Sequence, residues 1–135
     1  MLVIDASAVM ELLMATPNGH AIEDQVFGSG EPLAAPHLID VEVLHVIRRF
    51  HHSSLLTIER SEQALEDFSD LPITRYGHEL LRFGMWRMRN NLTAYDATYV
   101  SLAELLDAPI VTCDVKLARS SGHNVSFELF DLAAL

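Results

Sequence analysis

Asp5, Glu42, Asp96 and Asp114 each stand close to the start or end of an expected element, and together they are the residues here most able to do chemistry. Carboxylates that converge repel one another and persist at neutral pH only with cations, protons or basic groups beside them. No lysine or arginine adjoins Asp5, Glu42 or Asp96 in sequence. Oxygen-only donors favour hard ions, and Mg2+ or Mn2+ in an incomplete carboxylate cage leaves water available for reaction. Phosphodiester hydrolysis is the chemistry to which such a set points. Ser7, two residues after Asp5, either caps a helix or bonds an acid or a metal water.

The elements that must position these acids follow from the apolar pattern. Met1 to Asp5 reads as a strand buried on both faces and ending in an acid. A helix from Ala8 to about Met14 follows, which Pro17-Asn18-Gly19 ends, and a second spans His20 to Phe27. Pro32 to Ala35 is the second strand, and Leu38 to His52 is a helix apolar nearly all round and therefore expected to be mostly buried. A carboxylate at Glu42 inside such a helix needs compensation, whereas Asp40 reads as a first-turn acid with no further role. Thr57 caps a helix over Ile58 to Phe68, Pro72 to Thr74 is a strand, and His78 to Met88 is a helix. Thr93 caps the next, with Asp96 at capping-box spacing, and that helix runs to about Leu106. Ile110 to Asp114 and Val125 to Leu129 are the last strands.

About five strands alternating with helices imply a three-layer α/β/α sandwich around a mostly parallel sheet, as a single domain over residues 1–135. Ligands bind such sheets at the carboxyl ends of the strands. Asp5, Glu42 and Asp114 fall at that edge. Asp96 joins them only if its helix begins there, which is expected to depend on an insertion that reverses direction. Each acid also has a plain structural reading: Asp96 as the acid of a capping box, Asp114 as an N-cap, Asp5 as a turn residue.

Composition narrows the function classes. Against 9 lysines and arginines stand 19 acids, a net charge of −10, the wrong sign for holding nucleic acid by a general basic field. Local patches survive that balance, and Arg82, Arg87 and Arg89, interleaved with Phe83, Met85, Trp86 and Met88, are the densest. The single cysteine, Cys113, can form no intramolecular disulfide, and the first residues lack a signal-peptide pattern, so a cytoplasmic location is expected. No apolar run approaches the roughly 20 residues that span a bilayer. His51-His52 lacks zinc-hydrolase spacing, no glycine-rich phosphate loop is present, and Cys113 has no histidine beside it to make a nucleophile.

Val3-Ile4-Asp5-Ala6-Ser7-Ala8, Pro36 with Glu42-Val43 and Ile47-Arg48-Arg49, Leu92-Thr93-Ala94-Tyr95-Asp96-Ala97, and Val111-Thr112-Cys113-Asp114 with Leu117-Ala118 resemble the PIN-domain family, and within it the VapC-type toxin ribonucleases. The resemblance covers almost the whole chain in order. It implies that Asp5, Glu42, Asp96 and Asp114 form a Mg2+ site supported by Ser7, and that Mn2+ can substitute. The implied substrate is RNA, the implied state a homodimer, and the implied inhibitor a VapB-type antitoxin in the active-site groove. His45 departs from the family, which often carries asparagine there.

Other classes compete. A haloacid-dehalogenase-like phosphatase would carry a second acid after the first strand, where this chain has Asp5-Ala6-Ser7. A phospho-acceptor receiver domain would show an acidic pair at that place. A catalytically inactive PIN-like binding protein is set against the intact quartet.

Overall fold

Short apolar runs that alternate between two cores make the centre of the molecule. In the computed structural model, which describes residues 1–132, β1 (Leu2–Ile4), β2 (Leu33–Pro36), β3 (Ile73–Tyr76), β4 (Ile110–Thr112) and β5 (Phe127–Leu129) form one sheet. Its order is β3-β2-β1-β4-β5, and every pairing is parallel. Successive side chains of a strand point to opposite faces. Leu2, Ile4, Leu33, Ala35, Ile73 and Val111 accordingly enter one core, and Val3, Ala34 and Ile110 the other.

Helices cover both faces. α1 (Ala6–Leu13), α2 (Pro17–Ser29), α3 (Leu38–His52) and α4 (Ile58–Asp70) close the first core through Val9, Ile22, Val26, Val43, Ile47 and Phe68. A 3-10 turn (Glu79–Leu81), α5 (Arg82–Arg87), α6 (Ala94–Leu106) and α7 (Val115–Ala118) close the second through Leu81, Met88, Tyr99, Val100, Leu102 and Leu117. The three-layer α/β/α sandwich is as expected, with a wholly parallel sheet.

Several local expectations are corrected. Ser7 does not cap α1; the Asp5 carboxylate does, accepting from the Ala8 amide at 3.0 Å. Pro17 starts α2 instead of ending α1, because Thr16 caps the helix and proline is tolerated at its first position. α3 is less buried than its composition suggests: Ile39, Val43 and Ile47 are covered, whereas Val41 and Leu44 are 66% and 51% exposed. His78 starts no long helix; its Nε2 accepts from the Leu38 amide at 3.0 Å and so caps the start of α3, one turn before Glu42. Asp40 is not idle, since its two oxygens each accept from Arg75 Nε at 2.9 Å.

α6 begins at the carboxyl edge of the sheet. Only Asp107, Ala108 and Pro109 separate α6 from β4, so its C-terminus must lie at the amino edge. Its 13 residues span about 20 Å back to the other edge. α5 packs on α6 through Gly84, where an added Cβ would overlap Ser101 Oγ, itself donating to Leu81 O at 2.9 Å. Gly84→Ala is therefore expected to lower stability by about 1 to 3 kcal/mol in a denaturant titration. Gly28→Ala, with open space around its Cβ, should be neutral or stabilising by a few tenths to about 1 kcal/mol.

Candidate active site

The order β3-β2-β1-β4-β5 reverses direction between β1 and β4, and a crevice opens at the carboxyl ends of such a pair. Asp5 follows β1 and Asp114 follows β4 by two residues. The register pairs Val3 with Ile110 and Ile4 with Val111, so the next step sets Asp5 against Thr112. Two hydroxyls then join the strands. Ser7 Oγ donates to Asp5 Oδ1 at 2.7 Å and accepts from the Cys113 amide at 2.9 Å. Thr112 Oγ1 donates to Asp5 Oδ2 and accepts from the Asp114 amide at 3.0 Å. Asp5 Oδ1, holding Ser7 and Ala8, has both in-plane lone pairs occupied, whereas Oδ2 retains one.

Glu42 reaches the site from α3, on the stripe of Leu38, whose side chain packs against the second core. Tyr99 of α6 donates to Glu42 Oε1 at 2.6 Å, and its hydroxyl also lies against the Ala6 backbone. Asp96 precedes Tyr99 by one turn and shares its side of α6. Thr93 Oγ1 accepts from the Asp96 amide at 3.2 Å, so Asp96 is capped through its backbone. Among the described residues the Asp96 carboxylate accepts no backbone hydrogen bond, which separates it from a purely capping acid. Asp114 does cap, accepting from the Leu117 amide at 3.2 Å through Oδ1.

Charge couples the acids. Asp5 is 5% exposed, and burial pushes its pKa to about 6 against the lowering by Ser7, Thr112 and Ala8, with Asp114 adding repulsion. Glu42 is raised by burial, lowered by Tyr99 and raised again by Asp96. Asp96 is raised by burial and by Asp114, and lowered by Lys116 and Thr93. Tyr99 is held well above the usual phenol range, first by burial and then by Glu42, and stays a donor. The Cys113 thiol is pushed up to about 12 by burial and nearby acids, which leaves it protonated and inert.

This donor set fits a hard divalent cation. Burial first, and repulsion by Asp114 after it, raise the pKa values of Asp5 and Asp96, and a cation offsets the buried charge. Asp5, Glu42, Asp96 and Asp114 would hold the ion. Among the described residues no three of these acids stand near enough to share one ion as they are placed. Asp5 is fixed by its donors, so Glu42, Asp96 and Asp114, all only partly buried, would make the closing movement.

Ser7 is where the expected site needs it, bonded to Asp5. Sequence reasoning missed Thr112 and Tyr99, and it did not connect Lys116 with Asp96. The signals were faint: Thr112 stands two residues before Asp114, Lys116 two after, and Tyr99 one turn after Asp96.

The family model of the PIN domain matches residues 2–122. The chain belongs to the PIN-domain family. It is 37% identical over 129 residues to Ribonuclease VapC12 of Mycobacterium tuberculosis, covering 96% of this chain and 98% of that one. In fold this PIN-domain chain is similar to the crystal structure of PAE2754 from Pyrobaculum aerophilum, with a TM-score of 0.73 at 21% identity, covering 98% of this chain and 86% of that one. It is also similar to a chain of VapBC2 from Rickettsia felis bound to a DNA fragment from their promoter, with a TM-score of 0.71 at 14% identity, covering 96% and 98%.

The Asp5 pKa carries a pH signature. Raised from 3.8 to about 6, it favours the folded state below pH 4, and this contribution is lost as pH rises through about 6. Asp5→Asn does not titrate, so without divalent ions the variant should gain about 3 kcal/mol on the wild type between pH 4 and pH 7. Paired denaturant titrations across that range check it; a pH-independent gap would contradict the buried charge.

Proposed function

We propose that this chain is a metal-dependent endoribonuclease of the VapC type, the toxin of a toxin–antitoxin pair. The reading is supported by a PIN fold in a chain 37% identical to a VapC ribonuclease, with Asp5, Glu42, Asp96 and Asp114 at the carboxyl end of the β1/β4 crevice. Mg2+, or Mn2+ in its place, when held by these four carboxylates supplies Lewis acidity, lowering the pKa of water and offsetting charge on phosphate oxygens.

The chain's own residues do the rest. Asp5 is locked by Ser7, Thr112 and Ala8, with one lone pair of Oδ2 left to face the crevice. Glu42 Oε1 is held by Tyr99, so the carboxylate enters in one orientation. Asp96, with its pKa raised by burial and by Asp114, is suited to accept a proton. Lys116 is exposed and close enough to Asp96 to affect its charge, and it offers the phosphodiester a cation at the crevice. RNA is therefore drawn by local charge on a chain whose net charge would repel it.

The partners follow the same reading. A VapB-type antitoxin would silence the site by setting a cationic side chain among the acids. The homodimer would cover Val41 and Leu44 of α3 with Leu80 and Phe83, the last two 78% and 91% exposed. No helix of the described residues is long and apolar enough to cross a membrane, and we place the protein in the cytoplasm, acting as one PIN unit. Neither a haloacid-dehalogenase-like phosphatase nor an inactive binding protein is favoured by any feature of the site.

Asp96→Asn should reduce RNA cleavage roughly a hundredfold or more while keeping the fold, and EDTA should abolish wild-type cleavage. Asp40→Asn should cleave normally and melt slightly lower, because it weakens the pair with Arg75. Wild-type rates in Asp96→Asn, or equal damage from Asp40→Asn, would sink the assignment.

A further inference from the structure

The acids do not use a cavity of about 430 Å3 walled by Arg82, Met85, Trp86, Arg89, Leu92 and Thr93. Trp86 is 68% exposed. The Arg89 guanidinium lies 4.7 Å from the centre of its indole ring and donates to Trp86 O at 3.1 Å. Among the described residues Arg89 has no carboxylate partner, and the acid nearest Arg82 is the exposed Glu79 at 3.9 Å. Arg87 differs, because Glu104 takes its charge. Two guanidiniums left largely uncompensated in a chain of net charge −10 make a local site for an anion. Met85, Leu92 and the indole give it an apolar floor with one flat aromatic wall.

Position connects this cavity to the acids. Thr93 forms part of its wall and caps α6, and Asp96 lies three residues on, about 4.5 Å along the helix axis. Asp96 faces away from the cavity side of α6, and a strand held at Asp96 reaches the cavity by crossing the amino end of the helix. We propose that the cavity is a nucleotide subsite for single-stranded RNA, in which a base stacks on Trp86 while Arg82 and Arg89 take the adjoining phosphate; this rests on the ribonuclease reading above. Aromatic stacking with cations along the backbone is the common means of holding single strands without strict sequence choice. Duplex RNA keeps its bases stacked inside and offers none to the indole. A protein segment docking by apolar contact would leave both guanidiniums unmatched.

Trp86 is the only tryptophan, so its fluorescence reports on the cavity directly. The full-length Asp96→Asn chain is titrated with short oligouridylate and oligoadenylate, with an abasic ribose-phosphate oligomer of equal length and an RNA duplex as controls. Both single strands should quench Trp86, and the controls should do so far less. Followed by anisotropy of labelled oligouridylate, Trp86→Ala should weaken binding about tenfold or more, with Trp86→Phe restoring most of it. Arg89→Gln should weaken binding and flatten its salt dependence. In the otherwise wild-type enzyme, Trp86→Ala should raise KM and leave kcat close to its starting value. Equal quenching by the abasic oligomer, or unchanged binding in Trp86→Ala, would overturn the subsite. Quenching that follows the chain's own concentration, or an added apolar peptide and not RNA, would assign the cavity to a protein contact and overturn it too. Quenching by single strands in a wild-type chain that cleaves no RNA would sink the ribonuclease reading while upholding the nucleotide site.

Discussion

A carboxylate at the end of the central strand is almost wholly buried, and its charge is met by donors from both sides of the β1/β4 crevice. Asp5 accepts from Ser7 and Ala8 on its own side and from Thr112 across the sheet. Those bonds do not cancel the desolvation, since its pKa still rises to about 6. Much of the surrounding order serves this one group. The β1 and β4 register brings Thr112 opposite, the β4 to α7 turn puts Asp114 beside it, and α6 adds Asp96 and the phenol that orients Glu42.

The parallel sheet explains why acids so far apart in sequence meet. Each crossover helix begins at the carboxyl edge, so residues in the first turns of α3 and α6 face the strand ends. Local capping needs and the site then use the same residues. Asp5 and Asp114 each cap the start of a helix with one oxygen, while Asp96 leaves capping to Thr93. The donors are divided unevenly: Asp5 accepts from three, whereas Glu42 accepts from Tyr99 and Asp114 from the Leu117 amide.

Much of this was legible in the sequence for definite reasons. Strands buried on both faces are continuous apolar runs, so Leu2–Ile4 and Ile110–Thr112 stood out. The Thr57 and Thr93 caps were readable from side-chain chemistry alone. The α3 burial was misjudged because composition cannot say which apolar side chains face a neighbouring helix and which remain open, as Val41 and Leu44 do. Pro17 was read as a stop when it was a start, since the same residue suits both ends of a connection. Thr112 and Tyr99 were missed because their roles depend on register and on the packing of α6 against α3, neither of which is local.

On the proposed reading, the buried negative charge around Asp5 calls for a divalent cation. The most direct measurement is the melting temperature of the full chain at neutral pH as Mg2+ is added, for wild type and Asp5→Asn. An ion bound only by the folded state at a hundred times its dissociation constant adds about 2.7 kcal/mol. Wild type should therefore melt several degrees higher with saturating Mg2+ and return with EDTA, and Asp5→Asn should respond weakly. A wild-type curve that ignores Mg2+ and Mn2+, or a variant that shifts as much as wild type, would contradict the claim.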